Sequence, residues 1–217
     1  MACFITFEGI EGCGKTTQLS LLAQKLRSRG HEVTVTREPG GCAIADRIRE
    51  ILLDAGNSAI TPMTELLLYA AARAQHVAEV IVPALQSGRI VLCDRFTDAT
   101  VAYQGDGRGL DHSVIAQLNH LATGSIRPDL TLLVDCQVEV GLARAMARIN
   151  SCQGAREDRF ELESLQFHQR VREGYLKLAE QEPKRFIVID GAGKIEETEA
   201  AISGLLFPRL SELLAGC

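Results

Sequence analysis

The chain has 217 residues, 46% of them hydrophobic and 24% charged, with a formal net charge of −5. These proportions suit one globular domain spanning residues 1–217 with a sizeable core, and they leave no electrostatic case for nucleic-acid binding at the level of the whole chain. No apolar run approaches the ~18–20 residues that cross a bilayer. The seven scattered cysteines form no C-x-x-C pair, so reduced thiols in a cytoplasmic protein are expected, without a cleaved leader, a disulfide frame or a zinc site.

Cys3 to Phe7 is a short apolar, β-rich run and predicts a strand. It leads into Gly9-Ile10-Glu11-Gly12-Cys13-Gly14-Lys15-Thr16, which fits the phosphate-binding P-loop pattern G-x-x-x-x-G-K-[ST]. After it, apolar residues at 19, 22, 23 and 26 have helical spacing. Strand, loop and helix are the context this motif requires. The glycines let backbone N–H groups turn toward one anion, and the helix adds the positive end of its dipole. Gly9 to Thr17 are therefore the expected ATP-binding residues, with Lys15 as a point charge for the β- and γ-phosphates and the Thr16 hydroxyl suited to Mg²⁺.

Gly30 marks the end of the first helix, and residues 31–36 alternate as a second strand. A charged turn, 37–41, precedes an amphipathic helix over about 44–53. Thr61 and Pro62 cap and open a long helix running to about Gln86. The all-apolar strand 90–93 ends at Asp94-Arg95-Phe96. Residues 97–123 read as two helical pieces broken at 104–109, followed by a strand at 130–134 and a helix at about 138–148. The polar stretch 150–157 reads as a loop, with a helix over about 161–181, a strand at 185–189 and a last helix over about 195–214. Strands alternating with helices throughout imply an α/β fold, a five-stranded parallel sheet covered on both faces, with a short mobile lid at about 148–160.

Ligands of such sheets gather beyond the carboxyl ends of the strands, where residues 8–16, Arg37-Glu38 and Asp94-Arg95 all fall. Arg37, Arg73 and Arg95 have the planar fork that grips a second phosphorylated molecule. Asp94 suits either the water shell of Mg²⁺ or a helix cap. Arg148, Arg156 and Arg159 stand in or beside the lid, where a cation neutralises charge on a transferring phosphoryl group and closure excludes water.

These residues together resemble the bacterial thymidylate kinase family, from about Phe4 to Leu178. The resemblance is carried by residues 7–17, Thr36-Arg37-Glu38-Pro39-Gly40-Gly41, Tyr69-x-x-x-Arg73-Ala74-Gln75-His76, Asp94-Arg95-Phe96, residues 102–109 and Glu157-Asp158-Arg159-Phe160-Glu161. It implies transfer of the ATP γ-phosphoryl group to dTMP, with Mg²⁺, by a homodimer. By matching position, Glu11 holds the sugar 3′-OH, Tyr69 stacks on thymine and Arg73 bonds a base carbonyl, which moves Arg73 from phosphate to base. Arg37 and Arg95 bind the dTMP phosphate, Thr100 and Gln104 contact the thymine edge, and Tyr103 crowds the 2′ position. Relatives usually carry phenylalanine at position 69, and some carry arginine at 13 where this chain has Cys13; the lid arginines then supply that charge, with Lys15, Arg95 and Glu11 as the other catalytic groups. A GTPase-like switch is the alternative: Asp106 to Gly109 matches D-x-x-G, but no N-K-x-D motif is present. A kinase for another nucleoside monophosphate or deoxynucleoside differs only in the residues facing the base.

Overall fold

A computed structural model describes residues 2–151 and 159–215. Its centre is a five-stranded, wholly parallel sheet in the order β2-β3-β1-β4-β5, formed by β1 (Cys3–Glu8), β2 (Val33–Arg37), β3 (Ile90–Asp94), β4 (Leu130–Asp135) and β5 (Phe186–Asp190). The central strands are apolar because both faces are covered. Along β1, Cys3, Ile5 and Phe7 join one hydrophobic cluster while Phe4 joins another, and along β3 Ile90 and Leu92 separate in the same way from Val91 and Cys93. The edge strands are more open, with Val35 and Arg37 of β2 and Val188 and Asp190 of β5 exposed.

Helix α1 (Lys15–Ser28) buries Leu19, Leu22, Ala23 and Leu26, the stripe its spacing predicts, and Gly30 follows at φ +88°. Helix α2 (Ala43–Leu53) packs on α3 (Pro62–His76), whose cap Thr61 accepts a hydrogen bond from the Thr64 N–H at 3.3 Å. The long helix expected to run to Gln86 does so, but not as one α-helix. It widens into a π-turn at Val77–Ile81 before α4 (Val82–Gln86). Pro83 accounts for the widening, since its ring would strike the carbonyl four residues earlier in a regular helix.

A second π segment, Val101–Gly107, continues α5 (Thr97–Thr100). The break expected at 104–109 therefore comes later, just before α6 (His112–Thr123). Arg170 of α8 (Leu165–Gln181) caps the end of this segment by donating to the carbonyls of Asp106 at 3.3 Å and Gly107 at 2.9 Å. Helix α7 (Val138–Ser151) is longer than expected, residues 159–163 form turns where a helix was expected from 161, and α9 (Ile195–Ala215) closes the chain. Most of the expected lid, with Arg156, lies outside the described residues. No helix among them is long and apolar enough to cross a membrane.

Candidate active site

Parallel register brings Phe7, Arg37 and Asp94 level at the carboxyl edge of the sheet. The loop after β1 turns there, with Gly9, Gly12 and Gly14 at φ +139°, +67° and +101°. At Gly12 an added Cβ would run into the Gly141 carbonyl of α7, so only glycine lets the two backbones meet. Helix α1 begins straight after Gly14, with no acidic residue in its first turn and, among the described residues, no side-chain cap. Its first N–H groups are left for an anion. Lys15 Nζ lies back along the loop, donating to the carbonyls of Gly9 at 3.0 Å and Ile10 at 2.7 Å. Thr16 Oγ1 donates to Asp94 Oδ2 at 2.7 Å, placing a hydroxyl and a carboxylate together beside the loop.

A cavity of about 810 Å³ opens from this loop across the sheet edge. Glu11, Gly12, Lys15, Thr16, Arg37, Tyr69, Arg73, Asp94, Arg95, Thr100, Tyr103 and Gln104 all line it, so one chamber holds the phosphate end and the expected base end. Arg37 lies at the rim, half-exposed and paired with Asp46 at 3.0 Å. Arg95 is held at φ +69°, unusual for a residue with a side chain. Its N–H donates to the Phe7 carbonyl at 2.9 Å, and the following Phe96 N–H donates to Glu8 Oε1 at 2.7 Å. The arginine therefore turns inward, donating to Glu11 Oε1 at 2.9 Å and the Tyr175 hydroxyl at 3.1 Å. Tyr103 donates to the same Glu11 oxygen at 2.5 Å, and His168 Nδ1 stands 3.3 Å from Oε2 without hydrogen-bond alignment. Burial alone would raise the Glu11 pKa. Arg95 reverses that, helped by His168, Lys15 and Tyr103, and holds the carboxyl well below the usual carboxylate range.

Tyr69 and Arg73 share one face of α3, as residues four apart must. The Arg73 side chain is almost fully buried and aimed by its neighbours. It donates to Glu38 Oε2 at 2.8 Å, Asn119 Oδ1 at 2.6 Å, the Phe96 carbonyl at 3.0 Å and Thr100 Oγ1 at 3.0 Å. His76 holds the other Glu38 oxygen at 2.9 Å and meets Thr36 Oγ1 at 2.6 Å.

Three sequence-predicted positions lie elsewhere. Gly9 and Ile10 form the inner side of the loop, their carbonyls taken by Lys15. Arg159 is buried away from the chamber, its Nη1 2.8 Å from Glu65 Oε2 and its Nε on the Leu52 carbonyl. Among the flanking arginines, Arg148 lines the cavity. A second cavity, about 510 Å³, lies on the other side of residues 12–18 and is walled by Arg144, Gly191, Gly193 and Ile195. Arg144 fixes that wall, donating to the carbonyls of Gly191 at 2.7 Å and Ala192 at 2.9 Å. Sequence reading missed it; the available signal was that Arg144 stands four residues before Arg148 on one helix face.

A parallel sheet whose P-loop opens on a deep chamber, with a second set of arginines and a base-sized aromatic wall, defines a P-loop nucleoside monophosphate kinase. The thymidylate kinase family model matches residues 7–202. Thymidylate kinases of Geotalea uraniireducens (68% identity, 98% of this chain and 100% of that one) and Geobacter sulfurreducens (69%, 97% and 99%) are similar over essentially their whole lengths. The crystal structure of thymidylate kinase from Ehrlichia chaffeensis matches with a TM-score of 0.75 at 36% identity, covering 94% of this chain and 98% of that one. The chain belongs to the thymidylate kinase family.

Proposed function

We infer that the chain transfers the γ-phosphoryl group of ATP to the phosphate of dTMP, giving dTDP and ADP. The observation that carries this reading is the single chamber joining the P-loop to Tyr69, Arg73 and Gln104. The amides of residues 9–17 cradle the triphosphate, and the cavity beside Arg144 takes its nucleoside. Thr16 and, through water, Asp94 are the oxygen donors that fit Mg²⁺, which would neutralise charge on the β- and γ-phosphates. Lys15 leaves its own loop carbonyls for the phosphates. Arg95 and Arg37 orient the dTMP phosphate toward the P-loop, and Arg148 adds positive charge at the point of transfer. Arg156 and Arg159 remain candidates for that task; Arg159 would have to exchange Glu65 for phosphate. The Glu11 carboxylate accepts from the sugar 3′-OH, and Tyr103 occupies the space a 2′-OH would need. Tyr69 stacks on the base while Arg73, Thr100 and Gln104 read its edge.

Lys15→Ala or Arg95→Ala should abolish dTMP phosphorylation while the far-ultraviolet circular dichroism stays unchanged. Full activity in either variant, or preference for a purine monophosphate in a panel of acceptors with ATP, overturns the site. A cytoplasmic location belongs to the same proposal, because both substrates are intracellular nucleotides. So does a homodimer. Met63, Leu67, Ala71, Ala74 and Ala78 form an exposed apolar stripe along α3 and its continuation, on a different face from Tyr69 and Arg73.

A further inference from the structure

Gln104 lines the chamber from the π segment, and its Nε2 donates to Glu65 Oε1 at 2.7 Å. Glu65 is 1% exposed. Among the described residues its other partners are all guanidinium N–H groups: Arg108 Nε at 3.2 Å and Nη2 at 3.1 Å, and Arg159 Nη1 at 2.8 Å. A guanidinium only donates, so the ion pairs with Arg108 and Arg159 hold Glu65 as a carboxylate. Glu65 therefore faces Gln104 as a pure acceptor, and an amide set against a pure acceptor has one orientation. Nitrogen points to Glu65, and the oxygen is left for the chamber. That oxygen receives no hydrogen bond among the described residues.

We propose that Glu65 is a positioning residue that sets which pyrimidine the enzyme accepts. By locking the Gln104 amide it presents a carbonyl oxygen to the base, which fits a ring whose N3 carries hydrogen, as in thymine and uracil, and rejects cytosine, whose N3 is a bare acceptor. This rests on the placement of the base against Tyr69. Glu65, Tyr69 and Arg73 then form one stripe at four-residue spacing on α3, respectively aiming the acceptor, stacking and donating.

Glu65→Gln tests the lock. The new NH₂ must face donors on either side. The Oε2 side meets two guanidinium groups that cannot turn, whereas the Oε1 side meets one guanidinium N–H and the Gln104 amide, which can flip. The flip puts the Gln104 NH₂ into the chamber. The ratio of kcat/KM for dTMP over dCMP should fall by at least about tenfold in Glu65→Gln. It should fall in Gln104→Met as well. A fall in Gln104→Met with an unchanged ratio in Glu65→Gln sinks the lock but keeps the base placement; an unchanged ratio in both sinks the placement too. A structural role alone would lower both acceptors in parallel. Should Glu65→Gln not fold, the ¹⁵N spectrum of the unsubstituted enzyme decides. The Gln104 side-chain NH₂, assigned by its loss in Gln104→Met, should exchange slowly with solvent and keep its shift when dTMP is added. Fast exchange, or a large shift on adding dTMP, would place the nitrogen in the chamber and overturn the proposal.

Discussion

Glu8 and Glu11 show how far neighbours decide what a buried carboxyl does. Burial pushes Glu8 up to about 8, Asp98 adds to the shift, and Arg95 with the hydrogen bonds from Tyr175 and Phe96 only partly offsets it. Glu11 goes the other way because its closest charge is Arg95 itself. The Glu8 pKa is raised on folding, so its stabilising contribution is complete below its unfolded value of 4.5 and is lost as pH rises through about 8. Glu8→Gln removes that titration. The stability of the parent relative to the variant should fall with pH at up to about 1.4 kcal/mol per unit inside this window. Urea unfolding of both proteins across the window checks it; parallel stability curves would show that Glu8 titrates alike folded and unfolded. Glu11 does not confuse the test, because its contribution is present above its unfolded value and declines only as pH falls below it.

At the scale of elements, the site depends on how closely α7 approaches the P-loop. A Cβ on Gly141 would meet the Glu11 carbonyl at 2.5 Å and Ile10 Cδ1 at 3.1 Å. Alanine in a helix is intrinsically better than glycine by about 1 kcal/mol. Gly204 in α9 has open space around its missing Cβ, so Gly204→Ala should gain roughly that amount. At Gly141 the obstacle is backbone that yields only if α7 moves, and overpacking of that kind costs about 1–3 kcal/mol. Gly141→Ala should therefore lose stability in denaturant titration and raise the KM for ATP more than that for dTMP. A gain matching Gly204→Ala would mean the contact is loose. The same contrast shows what sequence can express. The stripe at 19, 22, 23 and 26, the Thr61-Pro62 start and the P-loop were legible because their causes lie within a few residues of each other. The need for glycine at 141 lies in a loop distant in sequence, and the carbonyls that end the π segment at 101–107 are capped by Arg170 from another helix. The widening at 77–81 was signalled by Pro83, which sequence reading passed over.

Across the whole molecule, alternation of strands and helices foretold a parallel sheet with two covered faces, but gave no means of ordering the strands, because that order is set by which faces pack together. The chamber was legible where charge marked it, at Arg37, Asp94 and Arg95. The second cavity was not, since its wall at 191–193 acts through backbone shape. Glu38 and His76 stood in legible stretches, but their task of aiming Arg73, like the whole part played by Glu65, was hidden because the partners come from distant segments. Helix α3 joins these scales: one face aims Tyr69 and Arg73, while Met63, Leu67 and the alanines beyond them are exposed on another. Leu67, within that stripe, is 50% exposed. Packing two such stripes together removes apolar area worth about 25 cal/mol per Å², and the alanines allow close approach of the helices. A charge at position 67 would be buried without a partner, a far larger penalty than the loss of one leucine contact. In sedimentation at micromolar concentration the parent should run at twice the chain mass, and Leu67→Glu should run at the chain mass with its circular dichroism intact. A parent that is monomeric there, or a variant that stays dimeric, would remove this face of α3 from the interface.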